Sequence, residues 1–127
     1  MNKICTSLEQ SQKLIELGID INTADMMWEY NPDKETYWDK PTIIPIDSYI
    51  FVNDIPAWSL AALLEMLHYE VVDEEGTSRF FELDRGYMDK YQISYTGADE
   101  NIEGDYYDNL VDACYELILK LHEQKIL

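Results

Sequence analysis

The stretch Asp99-Glu100-Asn101-Ile102-Glu103-Gly104-Asp105 sets oxygen-bearing side chains at alternate positions, Asp99, Asn101, Glu103 and Asp105, with glycine at the sixth. A calcium loop of the EF-hand kind begins this way, because a hard cation collects about six to eight oxygens and the glycine permits the sharp turn between them. The pattern then fails: its twelfth position is Leu110, where a bidentate glutamate is needed, and the residues before it have strand rather than helix character. A solvated acidic loop leading into a helix is the simpler reading, with a cation site at Asp99, Asn101, Glu103 and Asp105 as the weaker alternative.

Other chemistries find less support. His68 and His122 each stand near the end of an expected helix, where positive charge meets the negative end of the macrodipole. No H-E-x-x-H or C-x-x-C spacing supports zinc. Cys114 falls on an apolar helix face, which disfavours a thiolate nucleophile. G-x-S-x-G, Walker and G-x-G-x-x-G patterns are absent from the sequence. With 26 acidic residues, pairs such as Asp84 with Asp89 or Glu100 with Glu103 arise by abundance and assign no acid–base couple. No catalytic residue is assigned, and no cofactor is expected.

Charge is the loudest feature. Nine basic residues against 26 acidic ones give a formal net charge of -17. Between Lys40 and Arg79, and again between Lys90 and Lys120, there are seven acids and no lysine or arginine. Such a field argues against direct binding to nucleic acid or to an anionic membrane. No apolar run approaches the ~18 residues of a membrane span, and the first residues lack a secretory signal's apolar segment. A cytoplasmic protein with both cysteines, Cys5 and Cys114, reduced is the expectation.

The elements that would position these groups are legible from periodicity. Leu110, Ala113, Cys114, Leu117, Ile118 and Leu121 recur at helical spacing and predict a C-terminal helix with one core face, capped by Asn109. Loss of Leu117 to alanine should cost ~2 to 5 kcal/mol. Thr6-Ser7-Leu8-Glu9 reads as a capping box for a helix over 7–17 ending at Gly18. Asn31-Pro32-Asp33-Lys34 is a turn joining residues 26–30 to 35–39 as a hairpin. Prolines 41 and 45 mark an irregular or edge segment, and Tyr49-Ile50-Phe51-Val52 an extended one. Ile55-Pro56-Ala57-Trp58-Ser59 leads into a second helix with Leu60, Leu63, Leu64 and Leu67 on one side and Ser59 as its cap. After the turn at Asp73-Glu74-Glu75-Gly76, residues 79–84 and 91–95 form a second hairpin through Gly86, and 96–107 an acidic loop. The order α-ββ-α-ββ-α predicts a single α+β domain over 1–127, with about three helices on an antiparallel sheet of two hairpins.

Ten tyrosines and three tryptophans exceed what a small core usually needs. Trp28, Tyr30, Tyr37 and Trp38 alternate along the first hairpin and could leave one face for a partner, as could Tyr106 and Tyr107 in the acidic loop. Three functions fit. The first is a non-enzymatic domain binding a basic protein through exposed aromatics and carboxylates. The second is a DNA mimic of the phage type that blocks a nucleic-acid-binding host protein. The third is a small ligand-binding domain or enzyme built on residues 99–108. Nothing in the pattern fixes an oligomeric state.

Three motifs together, Thr23-Ala24-Asp25-Met26, Pro56-Ala57-Trp58-Ser59-Leu60 with Ala62-Leu63-Leu64, and Asp108-Asn109-Leu110-Val111-Asp112-Ala113-Cys114, resemble a set of small acidic proteins of gut anaerobic bacteria and their phages or mobile elements. The resemblance covers most of the chain. It implies a bacterial or phage cytosolic setting, and it carries no catalytic role, because that set has no established activity. The Trp58 motif is explained by a helix start anchored on a buried indole, and the Asn109 motif by a cap.

Overall fold

Ser7 opens the first helix, α1 (Leu8–Glu16): its hydroxyl accepts the Gln10 N–H while Gln10 Oε1 accepts the Ser7 N–H. The helix stops at Gly18, whose φ of +86° suits a residue without a Cβ. There the N–H groups of Gly18 and Ile19 return to the carbonyls of Ile15 and Leu14, closing the end. Residues 3–44, 53–97 and 100–127 are described by this computed structural model. The expected extended stretch at 49–52, Pro45 and Asp99 lie outside them.

The α+β class is observed, and the described residues fall into two compact units. The first comprises residues of Ile4–Ala62. Its strands are β1 (Met26–Trp28), β2 (Tyr30–Asn31), β3 (Thr36–Tyr37), β4 (Thr42–Ile43) and β5 (Ile55–Ala57). The turn at Asn31–Lys34 forms as expected, but the hairpin it closes is short, pairing only Tyr30 with Tyr37 and Asn31 with Thr36. Instead of joining that hairpin, β1 lies between β4 and β5 in an antiparallel sheet of its own. Pro56 belongs to β5, an edge strand, where a missing N–H leaves no ladder bond broken. Cys5, Met26 and Ala57 are buried together with Trp28 packed against them.

Ser59 caps α2 (Leu60–Met66) by accepting the Ala62 N–H at 3.2 Å. Of the expected apolar stripe, Leu63 is buried and Leu64 exposed, while Leu67 is buried just beyond the helix.

The second unit comprises Lys3 and residues of Leu63–Leu127. Here β7 (Ser78–Arg85) and β8 (Tyr91–Thr96) form the expected second hairpin. Two short strands that periodicity does not reveal, β6 (Glu70–Val72) and β9 (Ile102–Glu103), extend it to a four-stranded antiparallel sheet in the order β6-β7-β8-β9. The stretch read as an acidic loop is thus partly sheet, and Tyr107 adds a further bridge to Tyr91. Helix α3 (Leu110–Glu123) packs on β8. Asn109 Oδ1 caps it by accepting the Asp112 N–H at 2.8 Å, and Asp112 pairs with Lys3 at 2.8 Å. Ala113, Cys114, Leu117, Ile118 and Leu121 are buried as the spacing predicts, and Val111 and Tyr115 widen that face. No helix among the described residues is long and apolar enough to cross a membrane.

Candidate functional site

Residues directly opposite each other in antiparallel strands share one side of the sheet, and the side alternates along each strand. Tyr95 stands opposite Phe81 and Ile102, and Ile93 opposite Leu83. Ile93, Tyr95 and Ile102 are buried on the side that α3 covers. The intervening positions therefore form the other side. Across it, Ser94 stands between Glu82 on β7 and Glu103 on β9, Asp84 stands opposite Gln92, and Phe80 opposite Thr96 and Glu70.

Part of this side forms a groove of about 330 Å³ whose walls include Glu82, Asp84, Gln92, Ser94, Thr96 and Glu103. Glu82, Asp84 and Glu103 are all exposed. Pairing distances put the backbones of Glu82 and Glu103 ~10 Å apart, and Asp84 lies ~7 Å along the strand from Glu82. The ion pairs formed among the described residues, Lys3 with Asp112, Arg79 with Asp73, Arg85 with Asp89 and Lys90 with Asp108, do not involve them. Lys120 Nζ donates to the Glu103 backbone carbonyl at 2.6 Å. At the other end of this side, Phe80 is 41% exposed, its ring 5.6 Å from that of the exposed Tyr69, with Val72 also exposed.

The residues singled out in the sequence divide between the two units. Tyr106 reaches the groove's margin, where its hydroxyl donates to Asp84 Oδ2 at 3.2 Å; that bond to a carboxylate, with some burial, raises its pKa above the usual tyrosine value. Tyr107 is half-buried, tied to Tyr91 by two backbone hydrogen bonds, and burial followed by the charge of Glu116 raises its hydroxyl. Asn101 lines the groove while its Oδ1 accepts the Gly97 N–H at 3.2 Å, Glu103 lies in β9, and Asp105 is exposed. Among the described residues no group of three histidine, cysteine, aspartate or glutamate side chains is close enough to hold a metal ion.

In the first unit, Trp28 serves the interior, with Nε1 donating to the Thr6 carbonyl at 3.1 Å. Tyr30 and Tyr37 stack edge to face with centroids 5.4 Å apart, both half-buried. Trp38 is 52% exposed. Sequence reasoning missed Glu82, Gln92, Ser94 and Phe80 as members of one surface. The signal was present in the i, i+2 spacing of Glu82 and Asp84 within a strand, where period two puts both on the same side.

No protein-family model, no curated protein and no solved structure matches this chain.

Proposed function

We propose that this chain is a non-enzymatic binding domain that recognises a basic protein segment, working in a bacterial or phage cytosol. One observation carries the reading: a sheet buried on one side under α3 leaves on the other three exposed carboxylates with no basic partner, beside an exposed Phe80 and Val72. Carboxylates at a rim steer a basic partner and select against acidic ones, while an adjacent aromatic supplies area to bury. Tyr106 borders the surface, and Trp38 with the Tyr30–Tyr37 pair offers a second aromatic patch on the other unit.

The alternatives draw less from this geometry. A DNA mimic needs ~6 charges in each 10 Å of axis, against three carboxylates over a comparable span here. An enzyme or small-ligand site on residues 99–108 calls for a sheltered carboxylate, whereas those of the groove are solvated.

The test is titration of the protein with a lysine- and arginine-rich peptide and with an acidic peptide of equal length, at two salt concentrations. The basic peptide should bind, weaken several-fold between about 50 and 200 mM salt as the Debye length halves from about 14 to about 7 Å, and lose binding when Glu82, Asp84 and Glu103 are all changed to lysine. Equal binding of both peptides, or binding indifferent to that triple change, contradicts the reading.

A further inference from the structure

Ser94 is 6% exposed, yet its Oγ has no hydrogen-bond partner among the described residues, and no side-chain N or O atom sealed from solvent lacks one. The hydroxyl therefore opens into the groove it lines, directly between Glu82 and Glu103. The residue is nine-tenths buried while its hydroxyl faces the groove, so the floor of this groove holds a hydrogen-bonding capacity that no described residue uses.

The surrounding lining is dominated by acceptors. Glu82, Asp84 and Glu103 contribute carboxylate oxygens, and Gln92, whose Nε2 is committed to the Gly104 carbonyl at 2.8 Å, has its Oε1 left over. Among the described residues no lysine or arginine side chain lines the groove. A ligand complementary to such walls has donors and no acceptors. A metal ion does not suit, since Glu82 and Asp84 on β7 stand apart from Glu103 on β9, and no metal-holding cluster forms among the described residues. An ammonium is a compact point charge with three donors, whereas a guanidinium is flat and presents five donors in a fixed fork that can meet two separated carboxylates at once.

Resting on the reading above, we propose that the groove seats the guanidinium of an arginine side chain on the basic partner, with Glu82 and Glu103 accepting from its two edges and Ser94 Oγ accepting from beneath. Phe80 and Tyr69 then meet the partner's backbone or an apolar neighbour of that arginine. The occupant is an arginine within a polypeptide, because the exposed apolar residues extend the surface past the reach of a free amino acid.

Calorimetric titration of the full chain with a peptide of alternating arginine and glycine, with its lysine counterpart and with free L-arginine tests this. The arginine peptide should bind about fivefold or more tightly than the lysine peptide, the ratio expected from one additional hydrogen bond. Ser94→Ala should weaken the arginine peptide by about that factor and leave the lysine peptide within twofold, and Glu103→Gln should weaken the arginine peptide more than the lysine peptide. Glu103 is exposed, so its variant stays informative even if Ser94→Ala perturbs folding. Equal affinity for the two peptides, or an arginine affinity untouched by both variants, overturns the guanidinium seat while leaving the basic-partner reading standing. Binding of neither peptide overturns both. Free L-arginine binding as tightly as the peptide overturns the polypeptide assignment.

Discussion

The Asp25 carboxylate takes both polar hydrogens of Ser59: the backbone N–H donates to Oδ1 at 2.8 Å and the hydroxyl donates to Oδ2. Ser59 Oγ in turn accepts the Ala62 N–H, so the first turn of α2 depends on a carboxylate 34 residues earlier in the chain. Asp25→Ala leaves the Ser59 N–H without its acceptor and should cost ~1.5 to 3 kcal/mol, the range for hydrogen bonds to a charged group. Asp25→Asn, which keeps one acceptor oxygen, should cost less. Urea midpoints of the three proteins check the order; equal stability of the alanine variant and the parent contradicts it.

Gly104 approaches the Ile93 carbonyl so closely that a Cβ on it would lie 2.7 Å from that oxygen, while its own N–H donates there at 3.1 Å. The obstruction is backbone, which cannot rotate aside. Gly104→Ala should therefore separate β9 from β8 and destabilise the protein by ~1 to 3 kcal/mol. The same change should loosen the groove, since Glu103 and the Gln92–Gly104 bond sit at that edge. Amide hydrogen exchange across 102–104 should rise with the loss of stability, and unchanged protection there contradicts the account.

Alkaline pH should unfold this protein from its interior. Burial pushes the Cys114 thiol from an ordinary 9.0 up to about 12. Burial, with a smaller contribution from Cys114, pushes the Tyr95 hydroxyl from 10.0 up to about 12. Both pKa values are raised by folding, so above pH ~9 the unfolded chain sheds protons that the folded chain keeps, and stability must fall as pH rises. The stabilisation is complete below pH ~9 and is lost progressively toward pH 12. In Cys114→Ala the decline should begin nearer pH 10, as read from urea midpoints across that range. A parent protein whose stability is flat from pH 8 to 11 contradicts this, as does rapid reaction of native Cys114 with a thiol reagent.

Much of the framework was legible because it rests on local pattern. The spacing of Leu110 to Leu121 predicted a buried face, and Leu117 is completely buried. Asn109 and Ser59 were readable as caps because a cap is a short-range hydrogen bond, whereas the capping box read at Thr6 to Glu9 forms one residue later, between Ser7 and Gln10. The indole of Trp58 is buried as expected, with Nε1 donating to Thr23 Oγ1 at 2.8 Å. What escaped was pairing at long range. The turn at Asn31 fixes only the residues beside it, whereas β1 chooses β4 and β5, partners that local propensity does not specify. Strands β6 and β9 are too short for a period to show, and their acids, Glu70 and Glu103, made them look like loop. The candidate surface was illegible for the same reason: Glu82, Ser94 and Glu103 become neighbours only through register.

The outward side of the four-stranded sheet is the surface proposed for recognition. Amide chemical shifts of the isotope-labelled protein, followed while an arginine-rich peptide is added, test it most directly. The largest changes should fall on Glu82, Asp84, Gln92, Ser94 and Glu103, with Phe80 next, and should shrink as salt is raised. Changes centred on Trp38 and the Tyr30–Tyr37 hairpin, or spread evenly over every acidic residue, would contradict it.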